Sequence, residues 1–358
     1  MDAALEAFAG RIRSAASSGS GVCVRGGGTK DFYGGPLSGE RLDVREYAGV
    51  VTYEPTELVV TARAGTPIAE LEALLAGSGQ MLPFEPPRFG GEATLGGCVA
   101  AGLSGPRRAA NGLYYGSVRD FVLGCKLMDG RGEVLRFGGQ VMKNVAGYDV
   151  SRLLVGSMGT LGILLEISLK VLPVPVARTT LKFRMPEPEA LGRLNEWGGR
   201  PLPLSASTWS EGELWVRLEG AAAAVVSACG ILAGDKVDES GATVFWQGIR
   251  DHSHAFFSRP GALWRLSVPS TTAPLTLPGS QLIEWGGALR WWHTGADAPT
   301  VRQAAKAAGG HATLFRGGDR SAGVFAPLDP VLSRLHRNVK SVFDPAGVFN
   351  RGRVYPEW

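Results

Sequence analysis

Residues 22–30 read VCVRGGGTK, and this stretch decides the fold because a short apolar run opens directly into glycines. The apolar run predicts a β-strand over residues 22–25. Residues without a Cβ allow consecutive backbone N–H groups to turn toward one anionic group, such as a diphosphate. The residues of this predicted loop are Arg25, Gly26, Gly27, Gly28, Thr29 and Lys30. Taken alone, the segment is equally compatible with a flexible surface turn.

No amphipathic helix follows this loop, because Gly34, Gly35 and Pro36 interrupt the next residues. The dinucleotide fingerprint G-x-G-x-x-G requires a helix that begins at its glycines. A Rossmann-type site is therefore not indicated.

Two further clusters of small residues lie beside predicted strands. One spans residues 93–106, and the other comprises 147–149 and 156–163. Each cluster alone is compatible with a tightly packed turn in a core. Three such clusters in one chain favour a ligand held by main chain.

Local patterns predict several other elements. Residues 1–13 predict a helix, and residues 67–76 predict a second one with Thr66 as its N-cap and Pro67 in the first helical position. Alternating β-rich runs predict strands over residues 50–53, 58–62, 121–128, 133–137 and 161–172, the first two forming a hairpin.

A C-terminal helix is predicted to begin at Asp329 and Pro330. Its apolar residues recur at helical spacing, and Leu335 is expected to face the core. These residues are Val331, Leu332, Leu335, Val339 and Val342.

Composition excludes several classes of protein. Hydrophobic residues make up 44% and charged residues 20% of the 358 residues, which is typical of a folded globular chain. The net charge is +4 and the basic residues are scattered, with Arg107-Arg108 among the densest spots, so nucleic acid is not expected as a partner. The apolar stretch 221–233 is too short for a membrane span, which needs about 20 residues.

The four cysteines are far apart and contain no CxxC pair, so neither a zinc site nor an iron–sulfur cluster is expected in this chain. We interpret them as reduced thiols of a cytoplasmic protein. The N-terminus carries Asp2 and Glu6 and has no long apolar run, so no signal peptide is predicted.

A boundary is predicted at Pro173-Val174-Pro175, because eight of the nine tryptophans lie between there and about residue 323. An aromatic core or a partner interface explains such a cluster better than a stacking platform for a ligand. We predict three segments: 1–175, a cap domain over 176–325, and a C-terminal helix and segment over 326–358 that returns to the first domain.

The order of the motifs VRGGGTK, GEATLGGCVAAGLSGPRR, GGQVMKNVAGYDVSRLLVGSMGTLG and FDPAGVFNRGRVYP resembles the vanillyl-alcohol-oxidase family, with its PCMH-type FAD-binding fold. Within that family the FAD-binding subunits of bacterial glycolate oxidases are the most similar. The resemblance covers the first half of the chain and the last thirty or so residues. It implies an α+β fold: an FAD-binding domain of two α/β subdomains, a small α/β cap domain and a returning C-terminal segment.

The resemblance also implies the cofactor contacts. The loop from Arg25 to Lys30 would hold the diphosphate of FAD. The other implied contacts are Thr94, Gly96, Gly97, Ser104 and Gly105 near the diphosphate and the isoalloxazine ring, Gly162 and Ile163 through their backbone, and Asn350 near the ring. Arg351 stands where many relatives have proline. Relatives that bind flavin covalently have a histidine at or just after the first loop, where this chain has Thr29 and Lys30, so noncovalent FAD is expected.

A substrate site is harder to find. A flavin oxidase of 2-hydroxy acids needs a base and a cation for the carboxylate, and histidine is the usual base near neutral pH. The histidines are His252, His254, His293, His311 and His336, and none lies in a motif that the family uses for catalysis. His252 and His254 form an H-x-H pair without a carboxylate-rich motif nearby, so no metal site is predicted. Arg316, Arg320 and Tyr148 are weak candidates for binding the substrate carboxylate.

The catalytic residues therefore stay unknown. The resemblance implies a complex with a larger FAD-containing catalytic subunit and an iron–sulfur subunit, which oxidises glycolate to glyoxylate and passes electrons to the respiratory chain. Peripheral association with the inner face of the plasma membrane through these partners is compatible with the sequence. Two alternatives stay open: a stand-alone FAD-linked dehydrogenase of D-lactate or another 2-hydroxy acid, and a non-catalytic flavin-binding scaffold.

Overall fold

The computed structural model describes residues 2–107, 116–139 and 149–358. The α-helices of these residues are α1 Ala3–Ser18, α2 Ile68–Ala76, α3 Leu95–Ala101, α4 Val118–Phe121, α5 Val150–Leu153, α6 Glu187–Gly198, α7 Ala222–Leu232, α8 Glu239–Asp251, α9 Ala298–Ala307 and α10 Pro330–Phe343. The strands are β1 Val22–Arg25, β2 Glu40–Asp43, β3 Val50–Glu54, β4 Val59–Arg63, β5 Gln80–Met81, β6 Val122–Met128, β7 Val134–Gly138, β8 Ile163–Lys170, β9 Leu172–Pro173, β10 Ala177–Arg184, β11 Leu204–Ser210, β12 Glu213–Gly220, β13 Asp235–Val237, β14 Ala262–Ser267, β15 Ser280–Glu284, β16 Leu289–Thr294 and β17 His311–Arg316. The predicted α+β class is confirmed.

The chain divides into two compact units. Unit 1 consists of the described residues of Met1–Leu103, Ser117–Pro173 and Pro327–Trp358. Unit 2 consists of those of Ser104–Gly116 and Val174–Ala326. The short segment that begins at Ser104 therefore joins unit 2, although it lies inside the first predicted segment of the chain.

Unit 1 contains small sheets linked by glycine turns. β1 and β2 pair in parallel, and β3-β4-β8-β6-β7 form a five-stranded antiparallel sheet. Helices α2 and α3 contribute Leu71, Leu75, Leu95 and Val99 to the core of this sheet. A second core joins α1 to β1, β2 and the buried Phe349 near the C-terminus.

Unit 2 contains one antiparallel sheet of eight strands, in the order β13-β10-β12-β11-β15-β16-β14-β17. Helices α6 and α7 pack with β10, β11 and β12 through Leu191, Leu194 and Val225. Helix α9 packs with β14, β16 and β17 through Val301 and Ala305. The paired Trp264 and Trp292 stand in this second core.

Several local predictions are confirmed. The hairpin is β3 and β4, and the turn between β6 and β7 is held by the carboxylate of Asp129, which accepts hydrogen bonds from the Arg131 and Glu133 N–H groups at 2.9 Å. Helix α10 begins as predicted, because Asp329 accepts from the N–H groups of Val331 and Leu332 at 2.9 Å.

Two local predictions are wrong. Helix α2 starts at Ile68 with Pro67 as its N-cap, because the Thr66 hydroxyl accepts from the Gly49 N–H at 3.0 Å instead of capping the helix. Leu335 does not face the core: it is 51% exposed on α10. Both errors come from tertiary contacts that local patterns do not record.

Candidate functional site

The first glycine loop follows β1, as the sequence predicts. Gly28 has φ +72°, a left-handed conformation that glycine adopts without strain. The Asp31 N–H donates to the Gly28 carbonyl at 3.1 Å and closes the turn. The loop is therefore a defined turn, rather than the flexible surface turn that the segment alone also allowed.

The absence of side chains lets this loop pack against another stretch of main chain. A Cβ on Gly27 would lie 1.5 Å from the Glu92 carbonyl oxygen, and a Cβ on Gly26 would lie 2.4 Å from the Thr94 hydroxyl oxygen. The glycine at 27 is thus required for contact with residues 92–94. This contact, more than close approach of a ligand, explains why a side chain at 27 cannot be accommodated.

Two cationic side chains of the loop have partners within unit 1. Arg25 forms an ion pair with Asp31 at 2.6 Å, and this hydrogen-bonded carboxylate raises the pKa of Arg25. Lys30 lies over the Phe89 ring at 5.5 Å from its centroid. Both cations are held close to the loop backbone.

The second cluster of small residues begins α3. The Thr94 hydroxyl accepts from the Gly97 N–H at 3.2 Å and caps the helix. Gly96 is buried, its N–H donates to the Ala64 carbonyl at 2.7 Å, and a Cβ there would lie 2.7 Å from the Ala64 Cβ. Gly96 therefore serves the packing of α3 on β4, whereas Thr94 and Gly97 face the first loop.

Asn350 joins three separate parts of unit 1. Its side-chain Oδ1 accepts from the Val24 N–H at 2.8 Å, and its Nδ2 donates to the Met158 carbonyl at 2.7 Å. Asn350 has φ 42° and is only 6% exposed, so the backbone and the amide are both constrained. This residue fixes the end of β1 against the third glycine cluster.

Arg353 was not among the sequence-predicted site residues. Its guanidinium is 5% exposed and donates to the carbonyls of Lys30 and Asp31 at 3.1 Å, and also to the Gly35 carbonyl. Arg353 lies in the RGRVYP part of a quoted motif, but only its contacts assign it to the loop. The neighbouring Arg351 points to the Gly19 carbonyl at 3.0 Å and not to the loop.

A buried ion pair anchors the C-terminal segment (residues 344–358). Lys340 on α10 pairs with Asp344 at 2.5 Å and donates to the carbonyls of Thr160 at 2.7 Å and Phe349 at 3.1 Å. Asp344 in turn accepts from the Phe349 N–H at 2.9 Å. Burial lowers the pKa of Lys340, while the Asp344 carboxylate opposes this effect. This network positions Asn350, which follows Phe349 directly.

These elements enclose a cleft of about 90 Å³. Nine of the predicted cofactor residues line it: Arg25, Gly26, Gly27, Gly28, Thr29, Lys30, Thr94, Gly97 and Asn350. Typical small-molecule pockets measure roughly 300–1,000 Å³. The cleft can thus account for one part of a large cofactor, such as a diphosphate, but not for a whole dinucleotide.

The charge of the cleft suits an anion. Arg25, Lys30 and Arg353 line it together with one carboxylate, that of Asp31. The glycines leave main chain accessible beside these cations. The residues present therefore fit the diphosphate of FAD.

The other predicted residues lie elsewhere. Ser104 and Gly105 belong to unit 2, where the Gly105 carbonyl accepts from the Trp285 indole N–H at 3.0 Å. Gly162 has φ +148° and directly precedes β8, and Ile163 is 1% exposed in the core. Their approach to a cofactor stays a prediction. Arg108, Gly147 and Tyr148 lie outside the described residues.

The segment that begins at Ser104 also carries a buried ionic cluster of unit 2. Arg107 is 1% exposed and pairs with Glu219, with an N–O distance of 2.8 Å. Arg178 pairs with the same carboxylate, and the Arg217 Nε lies 3.4 Å from it. The Glu219 side chain has no exposed surface.

No histidine lines the described part of the cleft. His252, His254, His293 and His311 belong to unit 2, and burial lowers the pKa of each. His252 stacks on Phe257 with the ring centroids 3.8 Å apart, and His254 accepts from the Phe256 N–H. Among residues 2–107, 116–139 and 149–358, no group of three or more His, Cys, Asp or Glu side chains is arranged to hold a metal ion. The same ranges contain no helix that is both long and apolar enough to cross a membrane.

The fold is that of an FAD-binding protein, and the family described as "FAD binding domain" matches residues 5–138. The whole fold is similar to a solved structure of alkyldihydroxyacetonephosphate synthase, with a TM-score of 0.64 at 16% identity over 96% of this chain and 75% of that chain. The glycolate oxidase subunit GlcD of Bacillus subtilis (strain 168) is 33% identical over 46% of this chain and 32% of its own length.

The glycolate oxidase subunit GlcE of Escherichia coli (strain K12) is 50% identical over 98% of this chain and 97% of its own length. The chain therefore belongs to the GlcE family of FAD-binding proteins. The family resemblance predicted from the motifs is confirmed.

Proposed function

We propose that this chain is the FAD-binding subunit of a glycolate oxidase complex. The observation that carries the proposal is the cationic glycine cleft of unit 1, in a chain that shares half of its residues with a glycolate oxidase subunit over nearly its whole length. The substrate, the oxidation of glycolate to glyoxylate and the subunit assembly come from that relative's name and from the resemblance. They belong to this proposal.

The cleft residues would hold the cofactor by its diphosphate. Gly26 and Gly28 would offer main-chain contacts, and Lys30 would supply positive charge beside them. Asn350 and Arg353 would act mainly by keeping the loop in place, because their side chains are hydrogen-bonded to its neighbours. When bound, FAD would supply the capacity to accept electrons and pass them on.

Substrate oxidation would occur on the larger flavin subunit. Removal of the hydroxyl proton of a 2-hydroxy acid requires a base. The one carboxylate in the described lining of the cleft is Asp31, which is paired with Arg25. This cleft fits the diphosphate of FAD, and the relay of electrons to an iron–sulfur subunit and the respiratory chain is what the family resemblance implies.

Attachment of FAD would be noncovalent. Thr29 and Lys30 occupy the places of the histidine that covalent relatives use, and the described lining contains no histidine. Acid precipitation of the purified chain should release all of the flavin into the supernatant. A yellow pellet would show that the attachment is covalent.

The proposed activity is tested by comparing the chain alone with the assembled complex. The chain alone should contain FAD and should not reduce a dye with glycolate or D-lactate, whereas the complex should reduce it with glycolate. Dye reduction by the chain alone would establish a stand-alone dehydrogenase instead. In the intact complex, a flavin of this subunit whose absorbance is unchanged by glycolate would indicate a scaffold.

A further inference from the structure

Unit 2 contains a cavity of about 820 Å³ at the end of its sheet where α9 begins. Small-molecule sites typically measure roughly 300–1,000 Å³ and combine apolar walls with a few polar groups. The apolar walls include Ala262, Trp264 and Leu314 on the sheet, together with Ala296 and Pro299 around the start of α9. None of its described lining residues belongs to the cleft of unit 1. We call it the unit 2 cavity.

Three charged residues line the unit 2 cavity, and each stands three positions beyond the end of a strand. Arg259 precedes β14, Asp297 follows β16 and Asp319 follows β17. Strand β14 lies between β16 and β17 and is antiparallel to both, so its start is beside the ends of the other two. The segment with the arginine therefore leaves the sheet between the two segments with the carboxylates.

Arg259 lies near a buried histidine that also lines the cavity. The Arg259 Cζ is 5.4 Å from the centroid of the Phe256 ring, and the His293 ring centroid is 5.2 Å from the same point. His293 is 7% exposed, and neither of its ring nitrogens has a hydrogen-bond partner in the part of the chain that the structure describes.

The charge state of His293 leaves it one N–H to donate. Burial and the Arg259 charge lower the pKa of His293, against a smaller opposing effect of the Phe256 backbone, so the ring is neutral near pH 7. Arg259 pairs with Glu211, whose side chain is 67% exposed, and water weakens such a pair. Arg259 can therefore exchange this partner for a carboxylate of a ligand, next to the N–H of His293.

The two aspartates supply negative charge on either side of Arg259. Asp297 accepts from the Thr300 N–H at 2.9 Å, and Asp319 accepts from the N–H and hydroxyl of Ser321 at 2.8 and 2.7 Å. These hydrogen bonds lower the pKa of both carboxyl groups, so both are ionised near pH 7. Neither carboxylate has an ion pair with any residue that the structure describes. An ammonium group is the ligand group that suits them.

This arrangement of signs disfavours a ligand with one charge. A simple anion would meet two carboxylates, and a simple cation would meet Arg259. We propose that the unit 2 cavity binds an α-amino acid with an apolar side chain. The carboxylate of the amino acid binds Arg259 and His293, its ammonium group binds Asp297 or Asp319, and its side chain packs on the apolar walls with Trp264.

The test is isothermal titration calorimetry of the purified full chain with L-leucine, L-methionine and L-phenylalanine. At least one of them should bind, and removal of its amino group or of its carboxyl group should weaken binding by about ten-fold or more. For L-phenylalanine these two analogues are 3-phenylpropionate and 2-phenylethylamine. Absence of binding by all three amino acids, or equal binding of either analogue, would overturn the proposal.

The carboxylate contact is examined at Arg259. Arg259→Met should weaken binding of the amino acid about ten-fold, and Arg259→Lys should restore most of it because the positive charge returns. The matched control is Arg193→Met on α6, where the arginine is 50% exposed and also pairs with exposed carboxylates. Unweakened binding in Arg259→Met, or the same loss in Arg193→Met, would contradict this assignment of the site.

The ammonium contact is examined with Asp297→Asn/Asp319→Asn. Asparagine keeps an oxygen acceptor for the N–H groups of Thr300 and Ser321, so the melting temperature should not change. The amino acid and its deaminated analogue should then bind equally well. FAD content should be the same in every variant, since these residues lie outside the cleft of unit 1. A preference for the amino acid that persists in this variant would refute recognition by the two aspartates.

Discussion

Unit 1 and unit 2 are ordered by different means. In unit 1, hydrogen bonds between residues far apart in sequence hold short strands and glycine turns, as when Asn350 binds Val24 and Lys340 binds Thr160. Unit 2 contains eight of the nine tryptophans, and five of them lie on strands of one continuous antiparallel sheet. The candidate cleft of unit 1 is therefore held by a few polar contacts, although both units also contain hydrophobic cores of packed side chains.

Each unit nevertheless contains a buried ionic cluster that can be altered by one substitution. In unit 1 it is Lys340 with Asp344, and in unit 2 it is Glu219 with Arg107 and Arg178. Removing one partner of a buried pair leaves an uncompensated charge. One charge of the buried cluster can thus be removed in either unit. We expect this substitution to weaken flavin binding in unit 1 and to leave it unchanged in unit 2.

The largest effect is expected from Gly27→Ala in unit 1. The new Cβ would collide with the Glu92 carbonyl oxygen, so the loop cannot close and FAD should be lost almost completely. The ratio of flavin to protein absorbance measures this loss. Gly91→Ala is the matched control, because a Cβ there meets nothing within 4 Å. Full FAD occupancy in Gly27→Ala would refute the assignment of the loop.

Lys340→Met should destabilise unit 1 by about 3–5 kcal/mol, because it leaves the Asp344 carboxylate buried without its partner. The C-terminal segment then loses its anchor, and flavin should be released at a lower urea concentration. Arg334→Met, an exposed cation on the same helix, should change neither quantity. Unchanged flavin release in Lys340→Met would show that the segment is held by other contacts.

Glu219→Gln makes the corresponding change in unit 2, where it removes the only negative charge from Arg107 and Arg178 in their described contacts. A loss of about 3 kcal/mol is expected, seen as a lower urea midpoint of tryptophan fluorescence. Glu189→Gln, half exposed on α6, is the control. Flavin content should be retained at low urea. Loss of flavin in this variant alone would contradict the division of labour between the units.

Asn350→Ala should weaken FAD binding about thirty-fold, since two hydrogen bonds worth about 1 kcal/mol each are removed. Asn350→Asp keeps the acceptor for the Val24 N–H but places a buried carboxylate against the Met158 carbonyl oxygen, so it should weaken binding more than Asn350→Ala does. Fluorescence titration with FAD gives the dissociation constants. Asn338→Ala, exposed on α10, should bind as the unaltered chain does.

The smallest effect concerns pH and should appear in unit 2. Burial lowers the pKa of His252 well below its ordinary value, and it lowers those of His254, His293 and His311. Below about pH 6.5 the histidines of the unfolded chain become protonated, whereas those of the folded unit stay neutral to a lower pH. The free energy of unfolding of unit 2 therefore decreases as the pH falls below about 6.5.

For the deeply buried His252 this loss amounts to at most about 1.4 kcal/mol per pH unit. His254, His293 and His311 contribute less, because burial lowers their pKa values less than that of His252. Urea midpoints of tryptophan fluorescence should fall from pH 7 to pH 5.5 more steeply than the midpoints of flavin release. Parallel decline of both signals would show that acid acts on the two units alike.

The sequence predicted most of the residues that line the candidate cleft through short-range features of their own segment. The glycines at 26–28 and the residues Thr94 and Gly97 were identified by spacing and resemblance, and they meet in one cleft. Arg353 and Lys340 were not identified, because their role comes from contacts with the carbonyls of Lys30, Asp31 and Thr160. No local pattern records which distant carbonyl a cation will reach.

The sequence by itself determined the strand and glycine loop at 22–28, the hairpin of β3 and β4, and the start of α10, because backbone conformation, capping and periodicity act over a few residues. Tertiary structure alone decided that Gly96 packs on Ala64, that the segment from Ser104 joins unit 2, and that Val331, Leu332, Leu335 and Val342 of α10 face solvent. The physical reason is that periodicity fixes which side of a helix is apolar, whereas burial depends on whether an element distant in sequence packs against that side.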